Sequence, residues 1–545
     1  MSKIKAKKHT PEVSRLLMVL VAGVAALGIG AAEPSQARLL LTVMVDGLDT
    51  EYLDMLGERL GDGGFRRLQR DGVLIANADY GPGLDATAAT ATLVSGASPS
   101  LSGIGAAQRY DLTAMRPVST FSDKNVLGNF TDTGYSPAAL RVSTIADEAR
   151  IAAGGTNVAY AVAPSPSQAI ALAGHAANAA LWLDHRTGNW ASSTYYKEMP
   201  VAVATRNRTT PLSMRLDTMS WTPSLAPELY PDALPDHLRR YPFRYVFPAS
   251  NSQRLDIFTA SPLVNREVTN VAADLLSTLR VGQHEGVTDV LSLAYTLRPF
   301  TYGKNPDNRP ELLDAYVKLD RNLEQLFSDI DRRIGLDHTV VLLAATPPRR
   351  QSRRDDEQWG IPFGEFSTRK AISLLNIYLM AVYGNGDYVS AYHNGQFYLN
   401  RKLIKERSLD ERKLRADAAA FLARMTGVDR VHTIDDIIEG RAGEQPEALR
   451  RNISSATAGD LLVTVAPGFE IVDDFNTVPR ADRTPMVERV STSAAPVFIM
   501  APGVAARTIG ETVDARAIAP TVCRILRIRS PNGASAPALP LSAKK

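Results

Sequence analysis

Cysteine is almost absent from this 545-residue chain: its one thiol, Cys523, excludes an intrachain disulfide and any cysteine-built metal cluster. Excess charge is lacking too. Lys and Arg number 61 against 58 Asp and Glu, and residues 1–37 carry five of those bases and two of the acids, leaving 56 against 56 beyond them. A balanced body argues against nucleic acid as the main partner, because phosphate backbones call for a clustered basic excess. The eight histidines show no H-x-H or H-x-x-E-H spacing, and no internal repeat or low-complexity tract is present. No second apolar run matches the one ending at Ala32. What remains is the composition of a globular protein, 45% hydrophobic and 22% charged, with enough chain for one large core or two domains.

Residues 1–15 are basic, Leu16–Ala32 is uncharged and apolar, and Ser35 and Ala37 supply small residues at signal-peptidase spacing. Segment 1–37 is therefore expected to be a signal peptide or a membrane anchor held through 16–32. Either way the body, 38–545, is expected outside the cytoplasm, in the periplasm or on the outer face of the inner membrane.

Behind the leader, RLLLTVMVD (38–46), TDVLSLAYTL (288–297) and HTVVLLAA (338–345) are continuous apolar runs of strand length, suited to parallel strands buried on both faces. Between the last two, Leu312, Tyr316, Leu319, Leu323, Leu326, Phe327 and Ile330 recur at helical steps while Asp314, Lys318, Arg321 and Glu324 face away. Strand, helix, strand in that order predicts a right-handed crossover in a largely parallel sheet, with the ligand site beyond the strands' carboxyl ends. Residues of about 176–250 are richer in proline, aromatics and short polar stretches, and are expected to form an inserted cap.

The stretches VMVDGLDTEYLDML, LVSGASPSLSGIG and GHAANAALWLDHRTGNWASSTYY, followed in order by GVTDVLSLAYT, GDLLVTVAPGF and IAPTVCRILRIRSPNG, resemble the alkaline phosphatase superfamily. The resemblance is to its bacterial branch with a threonine nucleophile and a Lys/Arg phosphate clamp, and it covers 38 to about 534. It implies a three-layer α/β/α sandwich with an inserted cap. It also implies two zinc ions on six Asp/His ligands that share the phosphoryl oxygens and activate the nucleophile.

Carried over residue by residue, that pattern is largely replaced. Asp46, closing the first strand, keeps the first ligand position. The nucleophile position falls on Ala86, the phosphate-binding asparagine on Ala107, and the clamp on Ser165, Pro166 and Ser167. The remaining ligand positions fall on Pro299, Gly303, Thr346, Pro347 and Ala494, and a shift of one residue brings in only Arg298, Tyr302, Ala345 or Pro348. One carboxylate cannot hold two zinc ions, and alanine offers no oxygen to take a phosphoryl group. The expectation is a catalytically inactive pseudoenzyme with no bound cofactor, serving as a binding or scaffolding body in the cell envelope with a protein partner or a small anionic ligand. The alternative is a metal-dependent phosphate- or sulfate-ester hydrolase with a rebuilt site.

Other residues receive plainer expectations. A lone Asp46 at a strand end would bond nearby backbone N–H groups, and Thr87 and Thr90 would serve the turn beside Ala86. His175 would pack and hydrogen-bond, while His185, His237, His284, His338, His393 and His432 would lie on surfaces or loops. Cys523 would be buried and inert. The basic run 347–354, PPRRQSRR, is expected as a solvated loop near the site.

Overall fold

A computed structural model describes residues 37–197, 199–231, 241–300, 302, 308–347, 360, 364–443, 446–454, 457–466, 468–472 and 493–542. The expected leader, His237, Gly303 and the arginines of 349–354 fall outside them. Among the described residues no helix is long and apolar enough to cross a membrane.

Ten strands form the central sheet: β1 (Leu39–Asp46), β2 (Val73–Asp79), β3 (Gly128–Asn129), β4 (Ala159–Ala163), β5 (Ala179–Leu183), β6 (Trp190–Ser193), β7 (Asp289–Thr296), β8 (Thr339–Ala345), β9 (Ala494–Met500) and β10 (Arg507–Asp514). Their order is β10-β2-β9-β8-β1-β7-β4-β5-β6-β3. β8, β1, β7, β4 and β5 run parallel, β9 runs antiparallel between β8 and β2, and β6 closes antiparallel on β5. All eight residues of LLLTVMVD in β1 and all seven of TVVLLAA in β8 are buried. Such strands need helices on both faces, which is why they read as unbroken apolar runs and not as alternating ones.

Those helices include α1 (Thr50–Leu56), α2 (Ala86–Ser95), α3 (Ile145–Ala152), α4 (Pro166–Ala173), α5 (Leu263–Thr278) and α6 (Arg309–Arg333). α6 is the helix that the 312–330 periodicity predicts, and it buries Leu312, Tyr316, Leu319, Leu323, Leu326, Phe327 and Ile330; Asp314, expected to face away, is buried too, under the 221–230 segment. It packs on α5, which lies on β7, while α4 lies on β4 and β5 and touches α2.

The boundary of the expected cap needs correcting. Within 176–250, the run AALWL of β5 pairs in parallel with β4 and WASS of β6 pairs with β5, so the first part of this segment belongs to the central sheet. Its proline and aromatic content misled, because β5 is a buried strand of only five residues. A separate apolar cluster instead lies between Phe366 and Val465, where the four strands Val389–His393, Gln396–Leu399, Val428–Thr433 and Leu461–Val465 form their own sheet.

Candidate functional site

The register of the sheet assembles the site. Asp46 stands opposite Thr296 of β7, and Val45 stands opposite Ala345 of β8, so Arg298 and Thr346 emerge beside Asp46 at the carboxyl edge. Asp46 is buried, and both carboxylate oxygens are engaged by side chains rather than by the backbone N–H groups expected at a strand end. The Thr346 hydroxyl donates to Oδ1 over 2.7 Å, and the Arg298 guanidinium forms an ion pair with Oδ2. Backbone bonds brace the turn: Gly47 N–H donates to the Thr346 hydroxyl (3.2 Å), and Leu297 N–H to the Asp46 carbonyl (2.7 Å). Gly47 has φ +86°, where a Cβ would stand 3.3 Å from the Leu297 carbonyl oxygen; glycine suits both the twist and the close approach.

Ala86 is the first residue of α2 and is buried. Asp85 caps the helix, its Oδ1 accepting from Ala88 N–H (2.8 Å). Its Oδ2 accepts from Ala107 N–H (2.7 Å), so one carboxylate ties together the regions expected to supply nucleophile and asparagine. Thr87 is buried, and the Thr90 hydroxyl donates back to the Ala86 carbonyl (2.7 Å), which fits the structural part expected of both. Ser165 caps α4 by accepting from Gln168 N–H (3.4 Å), and Ser167 is buried within that helix. Pro299 and Pro347 are half-buried next to Arg298 and Thr346, and Ala494 opens β9 opposite Asp79.

Several of the described histidines have partners away from Asp46. His175 pairs with Asp147 (Nδ1 to Oδ2, 3.3 Å) and with the Leu140 carbonyl (Nε2, 2.9 Å), and the bond to Asp147 raises its pKa above the usual imidazole value. The His284 ring meets the fully buried Asp289 at 2.6 Å; His393, expected on a surface or loop, is instead buried at the end of the strand Val389–His393, where it meets the Gln108 carbonyl at 3.4 Å. Cys523 is buried, which pushes its thiol up to about 12.

A two-zinc centre does not fit this donor set. Among the described residues no group of three or more His, Cys, Asp or Glu side chains converges as metal ligands. Asp46 faces a guanidinium and a hydroxyl donor where further ligands would be required, and neither proline nor alanine can coordinate. The family pattern reaches Arg298 only by a shift of one residue and passes over Asp85. The signal for Asp85 was present, an acidic residue directly before the helical run ATAATATLV.

The chain is similar over nearly its full length to known phosphatases. It is 25% identical to alkaline phosphatase PafA of Elizabethkingia meningoseptica over 96% of this chain and 98% of that protein. It is 24% identical to alkaline phosphatase PhoV of Synechococcus elongatus over 92% of each. The crystal structure of wild-type PafA superposes with a TM-score of 0.80 at 23% identity, over 92% of this chain and 98% of that one, and shows the same fold. This kinship corrects the expectation of an inactive pseudoenzyme. Loss of the inherited nucleophile and ligands bears on the inherited mechanism, whereas relatives matching from end to end are alkaline phosphatases. A family model for type I phosphodiesterase / nucleotide pyrophosphatase matches residues 40–488, and the chain belongs to that family, within the alkaline phosphatase superfamily.

Proposed function

We propose that the protein is a phosphate-ester hydrolase whose site is rebuilt around Asp46, Arg298 and Thr346. The observation that carries this reading is the near-complete match to alkaline phosphatases, together with a fixed cation at the strand edge where the family's metals act. Because Ala86 has no heteroatom to become phosphorylated, the reading takes water as nucleophile. Its oxygen bonds to phosphorus, the ester P–O bond breaks, and the departing alkoxide takes up the proton that the water loses. Arg298 then supplies positive charge to the phosphoryl oxygens, and Asp46 holds the guanidinium in place.

The test is turnover of aryl phosphate monoesters, diesters and aryl sulfates by the purified protein, with and without added divalent metal and chelator. Turnover that falls by roughly 100-fold or more in Arg298→Ala and Asp46→Ala, with circular dichroism unchanged, supports the reading. No product above a buffer blank from any ester, under every metal condition, overturns it.

Export belongs to the same proposal, supported by the basic segment 1–15 and the apolar run Leu16–Ala32. Fractionation of expressing cells tests it, with the protein expected in the envelope or periplasmic fraction and not in the cytosol.

A further inference from the structure

A cleft lies beside the loop that leads into Ala86. One part, of about 210 Å³, is lined by Gly83, Gly105 and Ala106 on one side and by Gln396 and Asn452 on the other. A second part, of about 430 Å³, shares Gly103, Arg109, Thr120, Ser454 and Thr457 with the first and extends to Arg141. Two guanidinium groups therefore line one depression. Among the described residues Arg109 has only a long ion pair, 4.0 Å from Asp111, and the Arg141 guanidinium makes no hydrogen bond or ion pair.

The backbone adds to this donor set. The N–H groups of Gly105 and Ala106, both on the cleft wall, donate to nothing among the described residues. A Cβ on Gly105 would meet only the Ser454 Cβ, at 4.0 Å, so this backbone is open to a ligand. Gly103, at φ +82°, lets Arg141 lie close: a Cβ there would stand 3.2 Å from Arg141 Nε and 2.7 Å from the Ala139 carbonyl. Asp123 sits on the same wall as an opposing charge. The Ser136 hydroxyl (2.5 Å) and Asn125 N–H (2.8 Å) already bond its carboxylate, with the Ser136 bond leading in holding its pKa below the usual range.

We propose that this cleft binds the anionic end of a small organic molecule, a phosphate or carboxylate, with Arg109 and Arg141 as its cationic partners. Guanidinium groups are the donors that a tetrahedral or planar oxyanion takes up, and the open N–H groups of Gly105 and Ala106 line the smaller part, where they meet acceptor atoms of the rest of the ligand. The remainder of the ligand lies in the smaller part of the cleft, against Gln396 and Asn452. This site stands on its own geometry and does not require turnover.

Calorimetric titration of the purified protein with inorganic phosphate, glycerol 3-phosphate and malonate tests it. The expected result is saturable binding of at least one probe that weakens with added salt and by about tenfold in either Arg109→Ala or Arg141→Ala, with Arg141→Lys recovering part of the loss. Arg141 is exposed, so its variants are expected to fold, and circular dichroism checks them. No saturable binding of any probe, or unchanged affinity in both alanine variants, overturns the proposal. Binding abolished by Arg298→Ala alone also overturns it, and that outcome leaves the hydrolase reading standing.

Discussion

The Thr346 hydroxyl donates to the Asp46 carboxylate over 2.7 Å, joining the ends of two adjacent parallel strands. Both residues are buried, and the same hydroxyl accepts from Gly47 N–H. At positions that the resemblance expects to carry metal ligands, this chain has a hydrogen-bonded clasp closed by the Arg298 guanidinium. The protein's own groups thereby balance the carboxylate's charge and tie the two strand ends together.

Thr346→Val keeps the volume and removes the hydroxyl, leaving a buried carboxylate oxygen and Gly47 N–H without their partner. It is expected to lower stability by about 1–3 kcal/mol, read from urea unfolding. In a cycle with Asp46→Ala the two losses should fail to add by about 0.5–3 kcal/mol, because both act on one contact. Additive losses would mean that the clasp contributes nothing of its own.

The central sheet was legible in the sequence because β1, β7 and β8 are buried on both faces, which forces unbroken apolar runs. Helix α6 was legible because its apolar residues keep helical steps over many turns. β5 was not: AALWL is short, and it lies in a stretch whose proline and aromatic content suggests a cap. The second core was missed for another reason. Its strands are only four to six residues long, and LLVTV (461–465) alternates buried with half-buried residues, so none stands out from the surrounding chain. At the site, position-by-position comparison showed which side chains were missing. It could not show Arg298 turning back onto Asp46, because that contact depends on the register of β1 against β7.

Asp314 offers a test of how the segment after the sheet is fastened. Its carboxylate is fully buried on α6 and accepts from Trp221 Nε1 (2.6 Å), Ser224 N–H (2.6 Å) and the Tyr230 hydroxyl (2.7 Å). Lys318 Nζ lies 3.5 Å away as its counter-charge. Asp314→Ala strands the Trp221 N–H and the Tyr230 hydroxyl, while Ser224 N–H keeps the Tyr230 oxygen and Lys318 keeps the Ser224 hydroxyl, and should cost about 2–4 kcal/mol. Trp221 is 1% exposed, so a red shift of tryptophan emission at ambient temperature would report local release of the 221–230 segment. Unchanged emission together with unchanged unfolding would remove Asp314 as its anchor.

Cys523 should resist thiol reagents in the folded protein. Burial lifts its pKa to about 12, so thiolate is scarce near neutral pH, and the sulfur is shielded from reagent as well. Labelling by a maleimide is expected to stay near background in buffer and to reach one equivalent in denaturant. Fast labelling of the native protein would show that the helix Ile518–Ile525 opens readily.

The pair of His175 and Asp147 gives stability a defined pH dependence. The hydrogen bond to Asp147 leads in raising the His175 pKa, against a smaller opposing effect of burial. For Asp147 burial alone would raise the pKa, but bonds from His175, Thr144 and Ala176 outweigh it and hold it below the usual value. A raised histidine pKa means that its contribution is complete below the unfolded value of about 6.5 and is lost as pH climbs through the folded value. A lowered aspartate pKa means that its contribution is complete above about 3.9 and is lost as pH falls through the folded value. The pair therefore stabilises most between those limits, in mildly acidic solution. His175 is 37% exposed on its side chain, so solvent screening keeps the effect modest. Melting temperature measured from pH 5 to 9 should fall on the alkaline side in the wild type, and His175→Ala should flatten that fall. Parallel curves for the two proteins would show that the pair contributes no proton-linked stability.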